Sequence, residues 1–149
     1  TMSKLFELKN IAGVKDATGD LNRVDQTLKK MGKDFLQLTG NDDNALEFNR
    51  KGGEGAISVT ANIAPKICSD FQKFSNLKNS IANKDEAERL NKILQPLHSA
   101  MFVESNPSPV KYAAKQLGLC DDAVRLPLVK VTDQTKDIIN KALKIAKLV

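Results

Sequence analysis

Over its first half the chain alternates three times between a short apolar run and an amphipathic segment, and this constrains the fold more than any other feature. Residues 11–16 form one apolar run, and the Thr18-Gly19-Asp20 cluster after it supplies cap chemistry for a helix with Leu21, Val24, Leu28 and Met31 on one face. The pattern recurs with FLQLTG at 35–40 and a helix from about Asp42 to Lys51. It recurs again with GAISVT at 55–60 and a helix near 64–76 carrying Ile67, Phe71 and Phe74. Strands alternating with helices at this spacing pair in parallel through right-handed crossovers, so the expected class is α/β.

After about Asn79 the strand signals stop. KDEAERLNKILQPLHSAMF reads as a long helix with acidic residues in its first turn and Leu90, Ile93, Leu94, Leu97 and Met101 on one stripe, and Pro96 is expected to kink it. NPSPVKYAAKQLG reads as a proline-started helix stopped by Gly118, and TDQTKDIINKALKIAKLV as a capped amphipathic helix. The expected organisation is therefore a segment of three βα units over 1–78 and a C-terminal three-helix region over 79–149. No low-complexity stretch or flexible linker would make the two independent.

Three parallel strands alone are an incomplete solution, because a parallel sheet normally has both faces covered and its edges protected. A complete (β/α)8 barrel takes about 250 residues, and a chain of 149 residues holds only about three of its eight units. The expected architecture is a partial (β/α)8 barrel, either a fragment or a piece that assembles with other chains.

Composition narrows the function classes. At 41% hydrophobic residues the chain can bury a core. No apolar run approaches the eighteen or so residues of a membrane span, and TMSKLFELKN lacks the plan of a signal peptide, so a soluble cytoplasmic protein without a membrane partner is expected. Cys68 and Cys120 lie far apart with no CxxC spacing and are read as reduced thiols. With His98 the single histidine, no zinc set is evident and no metal is expected. A net charge of +5 invites a nucleic-acid reading, but the lysines are dispersed. Lys136, Lys141, Lys144 and Lys147 alternate with Ile138, Ile139, Leu143 and Ile145 as on a solvated helix face, and aromatic residues for stacking bases are few. No nucleic-acid partner is expected.

The chemistry-bearing candidate is Lys15. It closes the first strand, and in parallel α/β architectures active sites collect at the carboxyl ends of the strands. A lysine amine attacks a keto group only when unprotonated, and desolvation in a strand-lined cavity favours that form, so Lys15 is expected to be buried. On periodicity alone, the commoner outcome for such a lysine is to snorkel to solvent or pair with neighbouring Asp16. His98 lies beside an apolar stripe without an evident catalytic partner and is expected to be packed or partly exposed. Gly52, Gly53 and Gly55 lack GxGxxG spacing and suit a helix-to-strand turn rather than a phosphate cradle.

The segments GVKDATGD, LTGNDD, GGEGAISVTAN, LQPLH, FVESNPSPVKYAAKQLG and RLPLVKVT, in this order and spacing, resemble the C-terminal half of the pyruvate-dependent class I aldolase family that includes dihydrodipicolinate synthase and N-acetylneuraminate lyase. The SVTAN and NPxPVK blocks favour the dihydrodipicolinate branch, with another pyruvate-dependent aldolase of the family as an alternative. The resemblance implies that Lys15, in the G-[IV]-K-[ED] motif, forms a Schiff base with pyruvate, so that no separate cofactor is needed. It also implies that the Ile57 main-chain carbonyl and Gly40 line the pyruvate cavity. Asn41 stands where many members have aspartate, which puts any charge-based role there in doubt.

In this branch the implied reaction condenses pyruvate with aspartate semialdehyde during lysine biosynthesis. The family's first five strands, its carboxylate-binding block and its tyrosine relay have no counterpart in the resembling region. Activity would then need a complementing barrel-half chain or a homo-oligomer. The alternative is a noncatalytic truncated half-barrel whose open edges drive self-association.

Overall fold

The computed structural model describes residues 1–76 and 81–149, so the expected boundary at 78/79 lies outside the described residues. Packing contacts divide the chain into two compact units, Thr1–Ser58 with Gln72–Ala87 and Val59–Phe71 with Glu88–Val149.

The first unit opens with a short helix, α1 (Met2–Leu5), followed by β1 (Gly13–Asp16), α2 (Asn22–Met31), β2 (Leu36–Thr39), α3 (Ala45–Arg50) and β3 (Gly55–Ala56). The strands form one parallel sheet in the order β1-β2-β3, with Lys15 opposite Leu38, Asp16 opposite Thr39, and Thr39 opposite Ala56. The alternation of apolar runs with amphipathic segments has thus produced parallel βα units. The third strand is shorter than the apolar run GAISVT suggests. Only Gly55 and Ala56 pair as a strand, and from Thr60 to Asn62 the chain forms a 3-10 turn.

Strand alternation fixes what each face of the sheet carries. Val14, Asp16, Gln37 and Thr39 line one small cavity of about 10 Å³ together with Leu21 and Val24 at the start of α2 and Phe48 of α3, so this is the helix-covered face. The buried Gln37 side chain donates from Nε2 to the Val24 carbonyl at 3.2 Å. Val24, Met31, Phe35, Leu46 and Phe48 are buried in this unit, and Phe6 meets Phe35 edge-to-face at 5.2 Å between ring centroids. Asn49, near the end of α3, donates to Gln72 Oε1 and Ser75 Oγ at 2.8 and 2.7 Å. The opposite face of the sheet is open. Leu36 on β2 is 47% exposed, and Ile57, just past β3, is 54% exposed.

The second unit is helical. It holds the first turns of α4 (Pro65–Ser75), most of α5 (Ile81–Ala100), and all of α6 (Ser108–Gln116) and α7 (Asp133–Ile145). Leu94, Leu97 and Met101 are fully buried, as are Ile139 and Leu143 of α7. Helix α5 continues through Pro96 to Ala100. Pro109 sits in the first turn of α6, where a missing N–H costs nothing, and Gly118 takes φ +71° just beyond the helix end. Thr132 caps α7 by accepting from the Thr135 N–H.

Candidate active site

All three residues singled out from the sequence lie at the carboxyl ends of consecutive parallel strands. Lys15 is the third residue of β1, Gly40 follows β2, and Ile57 follows β3 with its N–H donating to the Thr39 carbonyl at 2.8 Å. Alternation and register put Lys15, Gly40 and Ile57 on the same, open face. Lys15 and Gly40 meet directly. A Cβ placed on Gly40 would stand 2.5 Å from Lys15 Cε, 3.1 Å from Lys15 Nζ and 2.8 Å from the Ala17 Cβ. Gly40 is therefore needed because the lysine stem lies across its Cα, not because its backbone adopts a left-handed conformation.

One expectation is corrected: Lys15 is exposed, not buried. The helices cover the Asp16 face of the sheet and leave the Lys15 face to solvent, so the desolvation anticipated for the amine is not present in this chain. Pairing with Asp16 is not what replaces it, because neighbouring residues on a strand point to opposite faces. Asp16 instead accepts from the Thr18 N–H at 2.7 Å and from Arg23 Nε at 2.6 Å. Partial burial opposes ionisation of Asp16, but the bonds from Thr18 and Arg23 outweigh it and hold this carboxyl below the usual carboxylate range. Ile57, the third residue of the apolar run GAISVT, is likewise exposed.

Several residues escaped the sequence reading. Thr39 is 2% exposed, accepts from the Asn41 N–H at 3.0 Å and donates to Asn44 Oδ1 at 3.1 Å, which fixes the LTGND turn that follows β2. The pattern of a threonine two residues before an asparagine was available as a turn signal. Arg23 was hidden because the strand-to-helix turn, not helix periodicity, brings it to Asp16. Asn41 places its amide nitrogen 3.3 Å from where a Cβ on Gly19 would be, and Gly19 has φ +77°.

His98 belongs to the second unit. It is 3% exposed, and its Nδ1 shares a 2.7 Å hydrogen bond with Thr60 Oγ1. This is the packed alternative of the two expected. Among the described residues, no group of three His, Cys, Asp or Glu side chains is placed to hold a metal ion, and no helix is long and apolar enough to cross a membrane.

The arrangement provides a primary amine at the carboxyl end of a parallel strand, bordered by a glycine that leaves room for it. Such a site can form a covalent imine with a carbonyl compound. Known proteins similar to this chain show its family. The family model for the dihydrodipicolinate synthetase family matches residues 1–146. The 4-hydroxy-tetrahydrodipicolinate synthase of Pelagibacter ubique is 74% identical over 99% of this chain and 50% of its own length, and that of Methylobacterium radiotolerans is 51% identical over 99% and 48%. The crystal structure of the chloride-inhibited dihydrodipicolinate synthase from Acinetobacter baumannii, complexed with pyruvate, superposes with a TM-score of 0.90 at 38% identity, over 99% of this chain and 49% of that one. The chain thus spans about half the length of the curated relatives it matches. On the extent of the family match and the closeness of these relatives, the chain belongs to the dihydrodipicolinate synthetase family.

Proposed function

We propose that this chain carries the Schiff-base half of a dihydrodipicolinate synthase-type lyase, three of the eight βα units of a barrel followed by a C-terminal three-helix region. The reaction is condensation of pyruvate with aspartate semialdehyde in lysine biosynthesis. Support comes from Lys15 at the end of β1, laid across Gly40 on the open face of a parallel sheet.

In this mechanism Lys15 Nζ adds to the keto carbon of pyruvate, and the resulting carbinolamine oxygen takes a proton and leaves as water. The iminium withdraws electrons from the adjacent methyl carbon. Loss of a proton there gives an enamine, which forms the new carbon–carbon bond at the aldehyde carbon of the second substrate as the aldehyde oxygen takes a proton. Attack of the second substrate's amine on the regenerated iminium then displaces and frees Lys15. No separate cofactor is required. Gly40 leaves room for the lysine stem, and the Ile57 main-chain carbonyl borders the pyruvate. A lysine amine adds to a carbonyl only when unprotonated, and removal from water favours that form. Covering of the open face, by a complementing barrel-half chain or within a homo-oligomer, would supply this removal. The partners are then small-molecule substrates rather than nucleic acid or membrane, in a cytoplasmic enzyme.

Incubation with pyruvate and borohydride, followed by intact-mass measurement and peptide mapping, tests this assignment. The expected result is one pyruvate-derived adduct on Lys15 that Lys15→Ala abolishes. An adduct mapped elsewhere, or none even when the open face is covered, would refute it. The exposure of Leu36 and Ile57 favours a second reading, a noncatalytic half-barrel that self-associates through this face. That reading expects a concentration-dependent oligomer by light scattering and no adduct.

A further inference from the structure

We infer that Asp16 and Arg23 are positioning residues for Lys15, clamping the end of β1 so that the lysine stem stays seated across Gly40. This rests on the assignment of Lys15 as the reactive amine.

Asp16 is the residue immediately after Lys15 and is fastened at three points. Its carbonyl accepts from the Gly40 N–H at 2.7 Å, its Oδ1 from the Thr18 N–H at 2.7 Å, and its Oδ2 from Arg23 Nε at 2.6 Å. The first bond ties β1 to the glycine that receives the lysine stem. The second closes the turn leaving the strand, and the third anchors that turn to the second residue of α2. The Arg23 clamp lies on the helix-covered face and the Lys15–Gly40 contact on the open face, so the two are joined through a single strand residue. Arg23 touches neither Lys15 nor Gly40 in this network, and its influence runs through the Asp16 backbone. The Asp16 side chain is 17% exposed, whereas that of Arg23 is 46% exposed. An ion pair with one partner so open to solvent contributes little to global stability, which makes a geometric role separable from a structural one.

The test compares the wild-type chain with Arg23→Met and Arg23→Lys. The first readout is the rate of borohydride trapping of pyruvate on Lys15, and the second is the 13C signal of Lys15 after reductive methylation with labelled formaldehyde, assigned with Lys15→Arg. Thermal midpoints are recorded alongside. Arg23→Met is expected to slow trapping about tenfold at saturating pyruvate and to move the Lys15 signal toward that of the other surface lysines, with little change in midpoint. Arg23→Lys is expected to restore most of both. A wild-type signal and wild-type trapping in Arg23→Met would overturn the inference. If wild-type Lys15 forms no adduct even when the open face is covered, the catalytic assignment fails, and the methyl signal still decides the positioning: a shift in Arg23→Met that Arg23→Lys reverses supports it, and no shift overturns it.

Discussion

Lys15 occupies the space that a side chain on Gly40 would need: a Cβ there would sit 2.5 Å from Lys15 Cε. The relationship is reciprocal. The glycine shapes the path of the lysine, and the lysine dictates the glycine. Gly40→Ala should therefore separate folding from chemistry. Lys15 is exposed and can swing away, but the Ala17 Cβ, 2.8 Å from the new methyl, cannot, so a stability loss of about 1–3 kcal/mol is expected in urea. Displacing the amine should cost more, about 10- to 100-fold in the rate of borohydride trapping of pyruvate. Wild-type trapping in Gly40→Ala would show that the lysine reacts from another rotamer.

Gly53 poses a comparable steric test away from the candidate site. A Cβ on it would fall 2.1 Å from Phe48 Cδ1 and 2.9 Å from the Phe48 carbonyl oxygen. Phe48 is a buried core ring, and its carbonyl oxygen belongs to the backbone of α3. Gly53→Ala is expected to destabilise the chain by at least about 1–3 kcal/mol and to reduce soluble yield. Gly32 is the control for a different mechanism. It has open space around it but φ +81° with ψ −176°, a conformation essentially reserved for glycine, so Gly32→Ala should cost about 1–3 kcal/mol through backbone strain alone. Chemical denaturation of each variant against wild type checks both losses.

The residues that announced the fold are those whose local and global preferences agree. Val24 and Met31 follow helical spacing and are buried where that spacing puts them, and FLQLTG became a strand between two helices. GAISVT did not run its full length as a strand, because Ser58 to Asn62 leave the sheet into a 3-10 turn, a choice made by tertiary packing rather than by β-branched content. Lys15 was legible as a strand-ending lysine because motif and position coincide. Its exposure is the outcome that periodicity alone favours, and the expectation of burial failed because whether a sheet face is covered depends on elements a strand cannot specify. The Arg23–Asp16 and Thr39–Asn44 bonds depend on turn geometry and carry no periodic signal.

The second unit contains a buried polar pair that can be broken at one end. Thr60 is fully buried, and its hydroxyl shares a 2.7 Å bond with His98 Nδ1. Thr60→Val keeps the shape and removes that hydroxyl, leaving the imidazole without this partner in a buried setting. The expected loss is about 1–3 kcal/mol, read from the urea midpoint, whereas Thr60→Ser should retain the bond and lose less. Equal losses in the two variants would show that the methyl group, not the hydroxyl, is what matters there.

Acid should act on the same unit through Asp122. Lys130 and Lys115 each place an ammonium 2.9 Å from Asp122 Oδ1, and their hydrogen bonds hold this carboxyl at about 2, against an ordinary 3.8. A carboxyl with a depressed folded-state pKa binds its proton more readily when unfolded. The stability it contributes is therefore fully present above about 3.8 and is lost progressively as pH falls toward about 2. Lys115 is raised in turn by its hydrogen bond to Asp122, so the contribution of this pair is also lost at the alkaline end, as pH climbs through a value above 10.5. Asp122→Asn should lower stability at neutral pH and flatten the acid limb of the stability profile between those two carboxyl values. Urea midpoints of wild type and variant measured across that window would decide it: parallel profiles would mean that the two lysines do not stabilise the ionised carboxylate.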